Sequence, residues 1–206
     1  MAKTARRSGR YTLLRLSRRV DWRFLLPDVE LGHVACFGRG DPDLVESLLH
    51  FSASLVRLDA PEGRSAVDAP AYDLAVLSDP TLEEIRDAVG ILHGGGWLYA
   101  EIHNPLARGF RLRRLRFARA YARALEQLGV EEVEVYWHWP DFASCEEIVP
   151  LNDAGAVRLM LARRRVYGER IKFWLGRLLV RMGLFGLLVP CASIVGRRPD
   201  DSGEDA

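Results

Sequence analysis

The stretch VACFGRGDPD, Val34 to Asp43, decides how this chain is read. An apolar run ends in two glycines spaced G-x-G, Gly38 and Gly40, and Asp41-Pro42-Asp43 follows. Glycine reaches positive φ at no steric cost and lets backbone approach a ligand closely. A helix entered at Asp-Pro-Asp points its positive end toward the same place. Asp59 closes the next apolar run, SLVRLD, 21 positions beyond Gly38. An acid about 20 residues past such glycines, at the end of a second strand, is placed to hold a ribose hydroxyl pair. The spacing supports an adenosine-type ligand. Strand-to-helix turns also use glycine for steric reasons alone, so the ligand loop and the plain turn both stay open.

Working outward, apolar runs alternate with amphipathic stretches. GHVACFG, SLVRLD, YDLAVLSD, GWLYAEI, VEEVEVYW and CASIVGR read as strands. DPDLVESLLHF, TLEEIRDAVGIL and FRLRRLRFARAYARALEQLG read as helices, and another begins near Asp153. Strands that are continuously apolar are covered on both faces. The expected fold is therefore α/β: a Rossmann-like, doubly wound, mostly parallel sheet with a helical insertion before the last strand. Right-handed crossovers then put ligand chemistry at the carboxyl ends of the strands.

At 206 residues and 49% hydrophobic, the chain can bury a core as one domain, expected over residues 11–198. A helical cover insertion is expected at about 152–189, with a disordered basic tail at 1–10 and a disordered acidic tail at 199–206. LLRLSRRV carries three arginines and is no apolar core of a secretion signal. Lys plus Arg number 29 and Asp plus Glu 28, a net charge of +1, which disfavours nucleic acid as a general partner. Cys36, Cys145 and Cys191 are odd in number, widely spaced and without a C-x-x-C pair, which fits neither a disulfide framework nor a zinc site. A cytoplasmic location is expected, and no metal site, since the histidines supply no coherent ligand set.

The order DWRFLLPD, HVACFGRGDPDL, LVRLDAP, YDLAVLSDP and ILHGGGWLYAEI resembles a class I S-adenosylmethionine-dependent methyltransferase over roughly residues 20 to 140. ILHGGGWLYAEI is the most specific piece: it resembles the family's helix ending in a Gly-Gly turn, from which a strand rises at an aromatic residue. The resemblance implies a seven-stranded sheet, with Cys191 to Arg197 as the final antiparallel strand, and S-adenosylmethionine bound across the first two strands. Gly38, Gly40, Asp59 and Asp79 are the positions expected to contact that cofactor. Two positions depart from the family pattern: Cys36 stands where an acid is usual, and Pro42 where a third glycine is usual. An apolar thiol removes an acceptor that a cationic ligand favours. Pro42 is compatible with the first helical turn, where its missing N–H costs nothing.

Methyl transfer needs an aligned nucleophile and, for a hydroxyl or thiol acceptor, a base. His103 in EIHNP and His138 in YWHWP stand at strand carboxyl ends and are the expected bases. Glu101, Tyr136, Trp137 and Trp139 are the expected substrate contacts. The aromatics either wall a planar or cationic acceptor or pack the sheet edge. The functional expectation is transfer of a methyl group to a small-molecule acceptor. The competing one is a non-catalytic methyltransferase-like module that binds a protein or metabolite in a biosynthetic assembly.

Two cationic features remain. Seven arginines lie between Arg108 and Arg123, mostly off the stripe Leu115, Ala118, Ala122, Leu125 and Leu128. RIKFWLGRLLVRMGLFGLLVP places Arg170, Arg177 and Arg181 on one helical face beside a wide apolar surface. Its arginines argue against a bilayer span. A substrate cover, a homodimer interface through the C-terminal helices and a peripheral membrane contact all suit the pattern.

Overall fold

The structure, a computed structural model, describes residues 13–38, 41–58, 71–104, 117–163, 178–181, 185–187 and 189–200. Seven strands form one sheet: β1 (His33–Phe37), β2 (Ser54–Arg57), β3 (Tyr72–Ser78), β4 (Leu92–His103), β5 (Glu131–Trp139), β6 (Glu147–Pro150) and β7 (Cys191–Arg197). Their order across the sheet is β2-β1-β3-β4-β7-β5-β6. β2, β1, β3 and β4 run parallel. β7 is antiparallel to both β4 and β5, as the resemblance implied, and β6 is antiparallel to β5 at the edge.

The helices α1 (Pro42–Phe51), α2 (Leu82–Ile91), α3 (Ala118–Gln127) and α4 (Ala154–Arg163) divide between the two faces. Leu44 and Leu48 of α1, with Val20 and Trp22 upstream, cover Val34, Cys36, Leu74, Val76 and Tyr99. Ile85, Ala88, Tyr121, Leu125, Val157 and Met160 of the other three cover Ala35, Phe37, Leu77, Leu98 and Ile194. Period-2 alternation sends successive strand residues to opposite faces, so a strand buried on both must be apolar throughout. That is why HVACF and YDLAVLS read as unbroken runs, and the sheet is doubly wound as expected.

Local chemistry sets the helix starts. Asp41 caps α1 by accepting the Asp43 N–H, and Pro42 occupies the first helical position. Thr81 and Glu84 make a reciprocal capping box on α2. Asp153 accepts the N–H groups of Gly155 and Ala156, so the helix of the insertion starts where its sequence predicts.

Two expectations are corrected. HGGG is not a turn that precedes a strand: β4 begins at Leu92, directly after α2. Its pairing jumps from Tyr72↔Leu92 to Leu74↔Trp97, so the glycines form a bulge within the strand, with Gly95 at φ +81°. β6 lies in what reads from sequence as connection after β5. Most of the arginine-rich stretch 108–123 and residues 164–177 of the cationic apolar segment lie outside the described residues, as do 1–12 and 201–206. No helix among the described residues is long and apolar enough to cross a membrane.

Candidate functional site

The carboxyl ends of β1, β3 and β4 meet at one edge. Gly38 ends β1 at φ +82°, and a Cβ there would lie 3.2 Å from the Ser78 carbonyl oxygen. A side chain at 38 would be strained by its backbone and crowd β3, so this position requires glycine. Gly40 and Asp59, expected beside it, lie outside the described residues. Cys36 is 1% exposed and packs inside the core, so no acid takes its place facing the edge from β1.

Beside Gly38 stand Asp79 and His103. Asp79 adopts φ +46° just past β3 and accepts the His103 backbone N–H at 2.7 Å through Oδ1. Its Oδ2 lies 3.0 Å from His103 Nδ1. A carboxylate only accepts, so Nδ1 carries the proton, and in the neutral ring Nε2 is the nitrogen able to take another. Phe142 packs edge-on against the imidazole at 5.0 Å. Of the two expected bases, His103 is thus the one held at the edge by an orienting acid.

His138 sits differently. It is 2% exposed, with Nε2 2.8 Å from Ser193 Oγ and Nδ1 3.5 Å from Cys145 Sγ. Burial, helped by the charge of Arg19, drops its pKa to about 3, so the ring is neutral. Burial likewise pushes the Cys145 thiol up to about 11, which keeps it a thiol.

Glu101 is not open to a substrate. Its two carboxylate oxygens accept Arg19 Nη1 and Nη2 at 2.6 and 2.7 Å, and the Tyr99 hydroxyl donates to Oε1 at 3.2 Å. Arg19 is 3% exposed. Burial lowers the guanidinium pKa, but the bonds to Glu101 outweigh it and the net shift is upward, so the guanidinium keeps its charge. Arg19 Nε also donates to Asp41 Oδ2 at 3.2 Å. Trp22 stacks on Tyr99 with ring centroids 3.8 Å apart and closes the network from outside.

The expected aromatic wall separates. Trp137 is buried in the core opposite, edge-on to Trp139 and Phe185. Tyr136 lies on the other face and donates its hydroxyl to Glu134. Phe142, which is not among the expected substrate contacts, is the ring that reaches His103, His138 and Arg19.

A cavity of about 650 Å³ lies at the opposite, amino edge of the sheet, lined by Gly32, Asp73, His93 and Trp97 among others. It is roomy but holds no orienting dyad aimed at a lone pair. His93 instead spends both ring nitrogens, on Asp73 and on the Gly94 carbonyl.

The fold has counterparts among solved structures. An S-adenosylmethionine-dependent methyltransferase from Archaeoglobus fulgidus superposes with a TM-score of 0.52 at 14% identity, over 89% of this chain and 94% of that one. Phosphoethanolamine N-methyltransferase 2 from Haemonchus contortus, in complex with phosphomonomethylethanolamine and S-adenosylhomocysteine, gives 0.52 at 8% identity. The same enzyme in complex with S-adenosyl-L-methionine gives 0.50 at 10%. Both matches cover 89% of this chain but 52% of the other, so this chain spans about half the length of the Haemonchus enzyme. No protein-family model matches the sequence, and no curated protein does. The chain has the fold of S-adenosylmethionine-dependent methyltransferases.

Proposed function

We propose that the protein is an S-adenosylmethionine-dependent methyltransferase acting on a small-molecule acceptor. The observation that carries this reading is the Asp79–His103 dyad at the carboxyl edge, beside a turn that only glycine suits. Gly38, Gly40, Asp59 and Asp79 are assigned to the cofactor side of the cleft. When bound, the cofactor supplies an activated methyl group on a sulfonium. Asp79 fixes the ring angle of His103, Nε2 takes the acceptor's proton, and the Asp79 carboxylate offsets the positive charge the ring then carries. His138, neutral and buried, backs Phe142, the aromatic ring that lies against His103.

The test is calorimetric titration with S-adenosylmethionine and S-adenosylhomocysteine, with Asp59→Ala as control. Micromolar binding, about −8 kcal/mol, that weakens in the control supports the reading. Absence of heat at millimolar ligand removes it. Once an acceptor is found, His103→Ala should lower turnover by about 10²-fold or more, and full turnover would eliminate His103 as base. A second reading has one observation in its favour: the core-buried Cys36 leaves β1 without the family's acid. A non-catalytic module that binds a protein or metabolite is the reading left standing if the titration fails.

A further inference from the structure

The first-described segment, residues 13–19, is helical and lies against the start of α1. Arg19 reaches Asp41 there and Glu101 on β4 at the same time. Arg15, one helical turn earlier, comes within 3.5 Å of Asp43 and 3.7 Å of Glu46. Residues four apart on a helix share a face, so one face of this segment grips the first turn of α1 through two cations and three acids.

The sheet register shows what the grip spans. Ser78 pairs with Glu101, and the Ser78 carbonyl is the group a side chain at 38 would crowd. Glu101 therefore stands level with the glycine turn, two strands away, on the face that holds Cys36 and Tyr99. Arg19 bridges that distance. Its guanidinium is planar and bidentate toward Glu101, which fixes its angle in a way a lysine would not. The remaining Nε–H is then aimed at Asp41, whose other oxygen caps α1.

We infer that Arg19 is a positioning residue: docked with the N-terminal helix, it locks the first turn of α1 to β4, level with Gly38. The ligand site at the carboxyl edge is then preset only while that helix is seated. The ligand half of this inference rests on the methyltransferase reading; the ordering half does not.

Two changes break the link without leaving a buried charge alone or removing the cap. Asp41→Ser keeps an N-cap oxygen too short to meet Arg19. The double change Arg19→Met with Glu101→Met replaces a buried pair by apolar side chains of similar length, a swap that proteins tolerate. Amide hydrogen exchange of the full chain at Asp43 to Glu46 should accelerate about tenfold or more in both variants, with the strand amides of Ala75 and Val76 unchanged. S-adenosylhomocysteine should bind at least tenfold more weakly to both, and Arg19→Lys should recover only part of that loss. Unchanged exchange in the first turn overturns the inference. Faster exchange with wild-type affinity also overturns it, because the contact would then be structural alone. If the unaltered protein binds neither S-adenosylmethionine nor S-adenosylhomocysteine, the functional reading falls by itself and the exchange rates still decide the lock.

Discussion

Two histidines with the same address in the sequence, each at a strand's carboxyl end, meet opposite fates because their surroundings differ. His103 keeps access to the edge and gains an orienting carboxylate, whereas His138 is enclosed by Ser193, Cys145, Tyr99 and Phe142. Burial first and the Arg19 charge second hold His138 neutral, with a pKa of about 3 against an ordinary 6.5. In acid the unfolded chain therefore binds a proton that the folded chain refuses. Stability from this residue is complete above pH 6.5 and is lost as pH falls below it, at up to about 1.4 kcal/mol per unit. His138→Gln keeps hydrogen-bonding capacity without titrating. Urea unfolding from pH 7 to pH 5 should show the wild type losing stability relative to this variant, and a constant difference would mean that the ring is already charged or hydrated.

Elements whose register is fixed by burial were legible in the sequence, and those shaped by a few backbone torsions were not. HVACF, YDLAVLS and CASIVGR announce themselves as unbroken apolar runs because both faces of the sheet are covered. β6 is four residues long and ends in a proline, too short to show a period. Arg19 was missed because LLRLSRRV was weighed only as a targeting signal, although Leu16, Arg19 and Val20 recur at helical spacing and all three are buried. HGGG was misread because a glycine run signals a turn and a strand bulge equally. That bulge has its own fastening. His93 Nδ1 lies 2.6 Å from the Gly94 carbonyl oxygen and Nε2 lies 2.8 Å from Asp73 Oδ1, an arrangement that fits a ring donating from both nitrogens. The Gly94 carbonyl and then Asp73 raise the His93 pKa above 6.5. For Asp73, burial pushes upward, but the His33 N–H and His93 prevail and its pKa falls below 3.8. The His93 contribution is whole below pH 6.5 and fades as pH rises through its raised value. The Asp73 contribution is whole above pH 3.8 and fades as pH falls through its lowered value. Both side chains are 43% exposed, so solvent screening keeps the pair to about 1 kcal/mol or less. His93→Gln should remove the alkaline part of this loss, seen as a flatter melting temperature between pH 6.5 and 9. An unchanged slope would show that the imidazole never holds two protons.

At the scale of the whole molecule, the sheet offers a ligand two opposite ends, and volume and chemistry point to different ones. The amino edge has the cavity of about 650 Å³, lined by Asp28, Glu30 and Asp73, and the acid that faces its histidine, Asp73, is already spent on His33 and His93. The carboxyl edge has the glycine turn, the helix start and the dyad whose Nε2 can take a proton. Parallel strands joined by right-handed crossovers place helix starts at the carboxyl edge, and polar groups aimed outward select a ligand more sharply than room alone does. A ligand that binds only the folded chain stabilises it by about 2.7 kcal/mol at a hundred times its Kd. For a chain of this length that is a rise of about 5–10 °C in melting temperature. S-adenosylhomocysteine at that excess should give such a rise in the wild type and in Trp97→Leu, which alters the amino-edge cavity and the core packed beside it but leaves the carboxyl edge in place. Gly38→Val, forced into positive φ against the Ser78 carbonyl, should melt lower without ligand and show no rise with it. The reverse pattern, a rise lost in Trp97→Leu and kept in Gly38→Val, would move the site to the amino edge and detach the dyad from ligand binding.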